Sequence, residues 1–334
     1  MGYDFTVFKG SKDGSIHQSK TSKPDLQGNQ VLVKVTASGL CGTDAHFRQE
    51  NIVLGHEGIG VVEAVGPQVK GTKVGDRVGW GYEHDCCGRC QQCLKGLETF
   101  CPSRAMYGEA DLDQGSFAHY AVWKEDFVYH IPDDISDEDA APLMCAGATV
   151  YGALRVYDTS PSERIGIIGV GGLGHLAIQY AAKMGTEVVV FSGSDSKKEE
   201  ALQLGASKFI ATKGKKELQL DTKIDRLLVT TSAPPDWNLL IPCLAPGCVV
   251  YPLSVAGGNL EFPYLPFLFQ GIRIQGSIIP PRHHHNDMIR FSSLHKIKPI
   301  IQKFPMTVEG ITDAMEKLNE GKVRYRAVLI PEGK

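Results

Sequence analysis

The 334-residue chain has little of what would mark it for a membrane or for nucleic acid. No apolar run approaches the roughly 20 residues that a membrane-spanning helix needs. With 35 basic against 38 acidic residues the net charge is −3, and no basic surplus is present to attract phosphate backbones or anionic lipid. Met1-Gly2-Tyr3-Asp4 supplies neither the basic cluster nor the apolar segment of a secretory leader. No internal repeat or low-complexity linker is visible, and an apolar content of 42% with 22% charged residues is that of an ordinary folded chain. These absences leave a cytoplasmic protein acting on a small molecule. Its length exceeds one usual hydrophobic core, so two domains are expected.

Cysteine, by contrast, is plentiful, with nine residues. Cys87, Cys90 and Cys93 stand at two-residue gaps and Cys101 follows after seven more. Thiolates are soft ligands, and short Gly-bearing spacers let the backbone curl around one tetrahedral ion. A pair of disulfides would need an oxidising compartment and a small core-poor chain, so the spacing predicts a closed structural zinc site. Cys86 could replace Cys87 as a ligand, but the regular gaps favour Cys87. A closed site leaves no coordination position for substrate, so the chemistry must lie elsewhere.

Two denser clusters precede the thiols. After a predicted strand at Val31 to Val35 comes Cys41-Gly42-Thr43-Asp44-Ala45-His46, and then Gly55-His56-Glu57-Gly58. Each residue taken singly has a plain reading: Cys41 as a small core residue, Thr43 or Asp44 as a helix cap, His46 as a surface side chain. The segment from Val69 to Val78 alternates with turn punctuation, so the first 130 or so residues are expected to be short strands and loops, as in barrels and sandwiches. Near Ala140 the texture changes to small residues, Ala140 to Tyr151, behind three acids that suit a helix N-terminus.

The second strong motif follows. Arg164 to Ile168 reads as a buried strand, then Gly169-Val170-Gly171-Gly172-Leu173-Gly174 opens a helical run. Glycines at this spacing between strand and helix let backbone amides meet a pyrophosphate, so Gly169, Gly171, Gly172, Leu173 and Gly174 are candidate dinucleotide contacts. The next strand, Glu187 to Phe191, ends at Ser192, where NAD-binding chains usually carry an acid for the ribose hydroxyls. Ser192, Ser194 and Lys197 would instead donate to a 2′-phosphate, which predicts NADP(H). Asp195 reads as a helix-start acid and Ser196-Lys197-Lys198-Glu199 as a capping box. Strands at 208–211, 226–230, 248–253 and 272–277 complete an α/β, doubly wound parallel sheet. A helix-like spacing over 312–318, a stop at Gly321 and a strand at 324–330 end the chain. His283, His284 and His285 cannot all face one ion on regular backbone, so a solvated loop is expected there.

Jointly, the CGTDAH segment, the GHEG segment at His56, the four-cysteine lobe, PLMCAGATVY around Cys145 and the glycine turn resemble the zinc-containing medium-chain alcohol dehydrogenases. Within them the likeness is to the cinnamyl-alcohol-dehydrogenase-like, NADP-dependent branch. The resemblance implies a GroES-like β-rich catalytic domain (1–140 and 277–334, with the zinc lobe at about 84–104) and a Rossmann cofactor domain (141–276). It further implies a catalytic zinc on Cys41, His56 and Cys145, a nearby Glu57, and Asp44 orienting the histidine. Thr43 and His46 would relay a proton, Arg282 would reach a cofactor phosphate, and Tyr82 would line the pocket. Two zinc ions and NADP(H) per chain, and a homodimer or homotetramer, belong to the same expectation. The implied activity is interconversion of an aldehyde or ketone with its alcohol. Reduction of a conjugated carbon–carbon double bond, or a non-catalytic zinc-stabilised binding role, are the alternatives. The segment from Phe47 to Gly55 is shorter than the family's, and Pro280-Pro281 replaces its glycine-rich text.

Overall fold

The computed structural model describes residues 2–332; Met1, Gly333 and Lys334, which the expected catalytic domain includes, lie outside the described residues. The chain divides into two compact units, Met1–Ala148 with Pro281–Lys334, and Thr149–Pro280. Among the described residues no helix is long and apolar enough to cross a membrane.

The first unit is built on a seven-stranded, mostly antiparallel sheet. Its order is Ile301–Pro305, Arg326–Ile330, Gln30–Leu40, Gly58–Val65, Arg77–Trp80 and Tyr129–His130, with Tyr120–Lys124 also pairing with Gln30–Leu40. The predicted strand at 31–35 is the first half of this longer one, whose residues are nearly all buried and which runs directly into Cys41. The predicted alternating segment at 69–78 is mostly irregular, with a strand only from Arg77. Its turns consume the backbone hydrogen bonds instead: the Glu125 carboxylate accepts the N–H groups of Lys70, Gly71 and Thr72. The core gathers Val31, Val33, Leu40, Val78, Trp80, Phe117, Trp123 and Leu329.

Residues 137–155 form three pieces where one helix was expected: an α-helix Asp137–Pro142, a π-helical turn Leu143–Gly147, and an α-helix Ala148–Arg155. The Ser136 hydroxyl caps the first by accepting from the Asp139 N–H at 3.2 Å. That helix packs on Gln30–Leu40, Gly58–Val65 and Arg326–Ile330. The histidine triplet also departs from expectation. It belongs to the helix Arg282–His295, and His285 is buried with its ring stacked on Tyr129 at 3.9 Å. Stacking of this third ring on an aromatic face draws the segment inward, where polarity alone suggests a loop.

The second unit is a six-stranded parallel sheet in the order Lys208–Ala211, Glu187–Ser192, Arg164–Ile168, Ile224–Val229, Leu244–Pro252 and Arg273–Ile274. Numbered along the chain this is 3-2-1-4-5-6, the doubly wound order, with its switch point between Arg164–Ile168 and Ile224–Val229. Val188, Val189 and Val190 are all fully buried, as expected when helices cover both faces. The expected last strand at 272–277 shrinks to two paired residues.

Candidate functional site

The strand Gln30–Leu40 delivers Cys41 at its end, where the backbone turns into the short helix Gly42–His46. From the first turn of that helix the fully buried Asp44 reaches back. Its Oδ2 accepts the Cys41 N–H at 2.8 Å, and its Oδ1 accepts from the Gly55 N–H at 3.2 Å and from His56 Nδ1 at 2.9 Å. A carboxylate can only accept, so Nδ1 carries the proton and Nε2 is directed elsewhere. It faces Cys145 Sγ at 3.3 Å.

Cys145 lies in the π-helical turn, and such turns interrupt helical hydrogen bonding and re-aim a side chain. One donor atom each from Cys41, His56, Glu57 and Cys145 lies within 4.8 Å of the others. Electrostatics favour a cation among them. The Cys41 pKa is well below the usual thiol value, first because the Cys145 thiol donates to it and then through His56 and Arg326; Cys145 is raised correspondingly. For His56, burial opposes protonation, but the Asp44 carboxylate and Cys41 outweigh it and lift the pKa well above the ordinary imidazole value. A Cys41 thiolate and the Asp44 carboxylate behind His56 put negative charge beside the same atoms, and a divalent ion there would take the place of the protons. Two thiolates and one imidazole with room for a further ligand is the donor set of an open zinc site.

Glu57 is fully buried. One oxygen, Oε1, is ion-paired with the Arg326 guanidinium, while Oε2 has no partner among the described residues. Burial pushes its carboxyl up to about 7, against the pull of Arg326. Room for Oε2 exists because residue 39 is glycine: a Cβ there would stand 1.8 Å from it. The His56 ring sits between Tyr82 at 5.3 Å and Tyr107 at 4.8 Å, and Phe47 meets Tyr107 edge-on at 5.3 Å. The Tyr107 hydroxyl accepts from the Gly55 N–H at 3.1 Å. Thr43 Oγ1 lies 3.8 Å from Cys41 Sγ, and His46 is exposed.

Sequence reasoning missed Arg326, Tyr107, Gly39 and the π-helical turn. Arg326 lies 269 positions from Glu57 and carries no local signal. Pro142, which has no N–H to give a helix, was the one local hint of an interruption before Cys145.

The four-cysteine lobe holds its thiols in backbone nests. Cys87 Sγ accepts the Cys90 N–H at 3.3 Å, Cys90 Sγ that of Cys93 at 3.5 Å, and Cys101 Sγ that of Ser103 at 3.3 Å. These bonds favour thiolates; the Arg89 and Cys90 amides bring Cys87 down to about 6. Sulfur–sulfur separations are 3.5 Å for Cys90–Cys93 and Cys87–Cys101 and 4.0 Å for Cys87–Cys93. All are far beyond a disulfide bond and close to the edge of about 3.8 Å expected for a tetrahedron with Zn–S of about 2.3 Å. Cys86 stands outside this group. Arg282, expected at a cofactor phosphate, is engaged by Glu98 of the lobe. That buried carboxylate accepts the Arg282 backbone N–H at 2.7 Å and its Nε at 3.2 Å, and the guanidinium covers the Phe127 ring.

In the second unit the glycine turn follows Arg164–Ile168 and leads into the helix Gly174–Lys183. Each glycine has its own reason. Gly169 adopts φ +92°, and a Cβ on it would meet Thr231 at 2.4 Å; one on Gly174 would stand 2.0 Å from the Gly169 oxygen. A Cβ on Gly171 would meet nothing within 4 Å, so packing does not demand glycine there, whereas close approach of a ligand does. Among the described residues the N–H groups of Gly172 and Leu173 have no backbone acceptor, which leaves them for an anion. Beside the turn is a cavity of about 180 Å³ lined by Gly169, Ser192, Gly193, Thr212, Thr231 and Asp236, among others. Lys197 Nζ donates to the Val170 oxygen at 2.6 Å, which brings the amine to the turn. Ser194 and Ser196 hydroxyls pair at 2.9 Å. The expected capping box at Ser196 is absent: a 3₁₀ turn Asp195–Lys197 precedes the helix Lys198–Gln203, and neither start has a side-chain cap.

Comparison with known proteins gives a consistent result. Residues 27–133 match the alcohol dehydrogenase GroES-like domain and residues 172–293 the zinc-binding dehydrogenase family. An alcohol dehydrogenase of Geobacillus stearothermophilus is 34% identical over 326 residues, covering 94% of this chain and 96% of the relative. NADP-dependent alcohol dehydrogenase C 1 of Mycolicibacterium smegmatis is 34% identical over 316 residues, 90% of each. The structure of a cinnamyl alcohol dehydrogenase of Sorghum bicolor superimposes with a TM-score of 0.87 at 30% identity, covering 98% of both chains.

Proposed function

The chain belongs to the zinc-binding alcohol dehydrogenase family, and from that premise we propose that it is an NADP(H)-linked enzyme interconverting an aldehyde or ketone with its alcohol. The observation that carries the reading is the convergence of Cys41, His56 and Cys145 with Asp44 behind the imidazole. In this reading those three hold the catalytic zinc, and Cys87, Cys90, Cys93 and Cys101 hold a structural one. Zinc supplies Lewis acidity that polarises a carbonyl or acidifies an alcohol, and NADP(H) gives or takes the hydride.

The chain's own groups do the remainder. Asp44 fixes the His56 ring and the Cys41 backbone together, so neither ligand can turn without losing a buried hydrogen bond. Glu57, with one oxygen on Arg326 and the other without a partner among the described residues, supplies a carboxyl oxygen beside the ligands. Oxidation of an alcohol releases one proton with each hydride. In this reading Thr43, whose Oγ1 lies 3.8 Å from Cys41 Sγ, takes that proton and passes it outward, with the exposed His46 as the far end of the relay. Tyr82 contributes an apolar wall beside His56.

The absence of an acid at Ser192, with Ser194 and Lys197 near the turn, supports NADP(H) over NAD(H); a named NADP-dependent relative points the same way. The two compact units, divided at 148/149 and 280/281, support a catalytic part and a cofactor part with boundaries several residues beyond the expected 140 and 276, which keeps Cys145 with the other proposed ligands. A homodimer is supported by the exposed Tyr264, Leu265, Leu268 and Phe269 beside the exposed edge strand Arg273–Ile274. Unpaired strand edges of that kind invite pairing with a second copy. A cytoplasmic location completes the proposal.

The test is turnover by zinc-loaded protein of a panel of aromatic, aliphatic and unsaturated aldehydes with NADPH. Allylic alcohol from a conjugated enal, with one NADPH consumed per product, is expected. Saturated aldehyde as the product would overturn carbonyl reduction. No turnover of any aldehyde by protein holding two zinc ions would overturn the catalytic reading.

A further inference from the structure

One buried titratable side chain beside the glycine turn is used by nothing above. His175, the second residue of the helix Gly174–Lys183, is fully buried. Its Nδ1 lies 2.8 Å from the Gly171 oxygen, which also accepts the His175 backbone N–H at 3.1 Å. A carbonyl oxygen only accepts, so Nδ1 is the protonated nitrogen and the Gly171 carbonyl receives two hydrogen bonds from one residue.

That carbonyl belongs to the peptide whose other end is the Gly172 N–H, which has no backbone acceptor among the described residues. Two donors on the oxygen fix the plane of the peptide and draw electron density from its nitrogen, strengthening the N–H as a donor through hydrogen-bond cooperativity. Fixing the plane matters here because Gly171 has no side chain and a Cβ built on it would meet nothing within 4 Å, so packing does not hold this peptide. The ring reaches back over the turn N-terminal to its own Cα, the direction helical side chains take. We propose that His175 is a positioning residue for the pyrophosphate of the dinucleotide: it orients and polarises the Gly171–Gly172 peptide so that the Gly172 N–H meets a phosphate oxygen.

This rests on the cofactor reading above, and the experiment keeps the two apart. Zinc-loaded wild type, His175→Leu and His175→Gln are titrated calorimetrically with 2′-phospho-ADP-ribose, which carries the pyrophosphate, and with adenosine 2′-monophosphate, which lacks it. The expected result is that His175→Leu weakens 2′-phospho-ADP-ribose about tenfold, the scale of one weakened hydrogen bond to a charged group, and leaves adenosine 2′-monophosphate within twofold. His175→Gln, whose amide can still donate to the carbonyl, should recover most of the loss. Equal weakening of both ligands would mean general loosening of the unit and would overturn the proposal, as would unchanged affinity for 2′-phospho-ADP-ribose. If wild type bound neither ligand, the cofactor reading itself would fall.

Discussion

Asparagine at position 44 keeps the shape of the aspartate and removes one acceptor, which makes it a sharp probe of the proposed metal centre. Natively, Oδ2 serves the Cys41 N–H at 2.8 Å while Oδ1 serves His56 Nδ1 at 2.9 Å and the Gly55 N–H at 3.2 Å. An amide has one oxygen and one NH₂. Turned one way, its NH₂ confronts the Cys41 N–H; turned the other, it confronts His56 and Gly55. The residue is fully buried, so water does not relieve either arrangement. A buried donor left without an acceptor costs about 1–3 kcal/mol. At about 1.4 kcal/mol per factor of ten, that is roughly 5- to 150-fold, in line with the 10- to 100-fold usual for residues supporting a metal ligand. Asp44→Asn should therefore lower zinc affinity at Cys41, His56 and Cys145 by about 10- to 100-fold. The four-cysteine site should be unaffected, because its thiols are held by their own backbone amides. Competition with a chromophoric chelator resolves the two ions as two release phases. An unchanged weaker phase together with kcat/KM within twofold of wild type would refute the argument; loss of both phases would show unfolding of the whole unit instead.

Further outcomes follow from other sites. Thr43→Val removes the hydroxyl and keeps the volume, and kcat should fall about a hundredfold, the scale of a general acid–base contribution; near-normal kcat would rule out the relay. NADPH should exceed NADH in kcat/KM, and Ser192→Asp should reduce that ratio at least about tenfold by setting a carboxylate against the 2′-phosphate. Equal or better turnover with NADH in the wild type would overturn the preference. Glu83 is buried with Oε1 unpartnered, and its carboxyl is pushed up from 4.5 to about 8 by burial and by the Glu98 carboxylate. The folded chain therefore holds a proton that the unfolded chain has lost between those values, and stability falls as pH rises across the window, by at most about 1.4 kcal/mol per unit. Glu83→Gln should raise Tm relative to wild type at pH 8 and match it near pH 4.5, whereas the same difference at both would refute the assignment.

Motifs whose members lie close in the chain were legible before any coordinates. The glycine turn declares itself because strand, turn and helix are contiguous and the glycines fall at fixed spacing between them. The cysteine lobe does so because its spacing alone permits four sulfurs around one point. The lost readings failed where local pattern competes with distant packing. His285 looked solvated among its polar neighbours, yet a ring 156 positions earlier, Tyr129, gives it an apolar surface to stack on. The pairing of Arg282 with the buried Glu98 carboxylate, 184 positions earlier, is likewise invisible locally.

Sequence by itself determined the two chemistries this protein carries, since ligand type, spacing and glycine placement are short-range properties. Tertiary structure alone decided how Cys41, His56 and Cys145 meet and that Arg326 neutralises part of Glu57. The physical reason is that side-chain convergence depends on strand register, on one π-helical turn and on burial that strips away solvent. Strand register and burial are set by residues far along the chain from the groups they bring together.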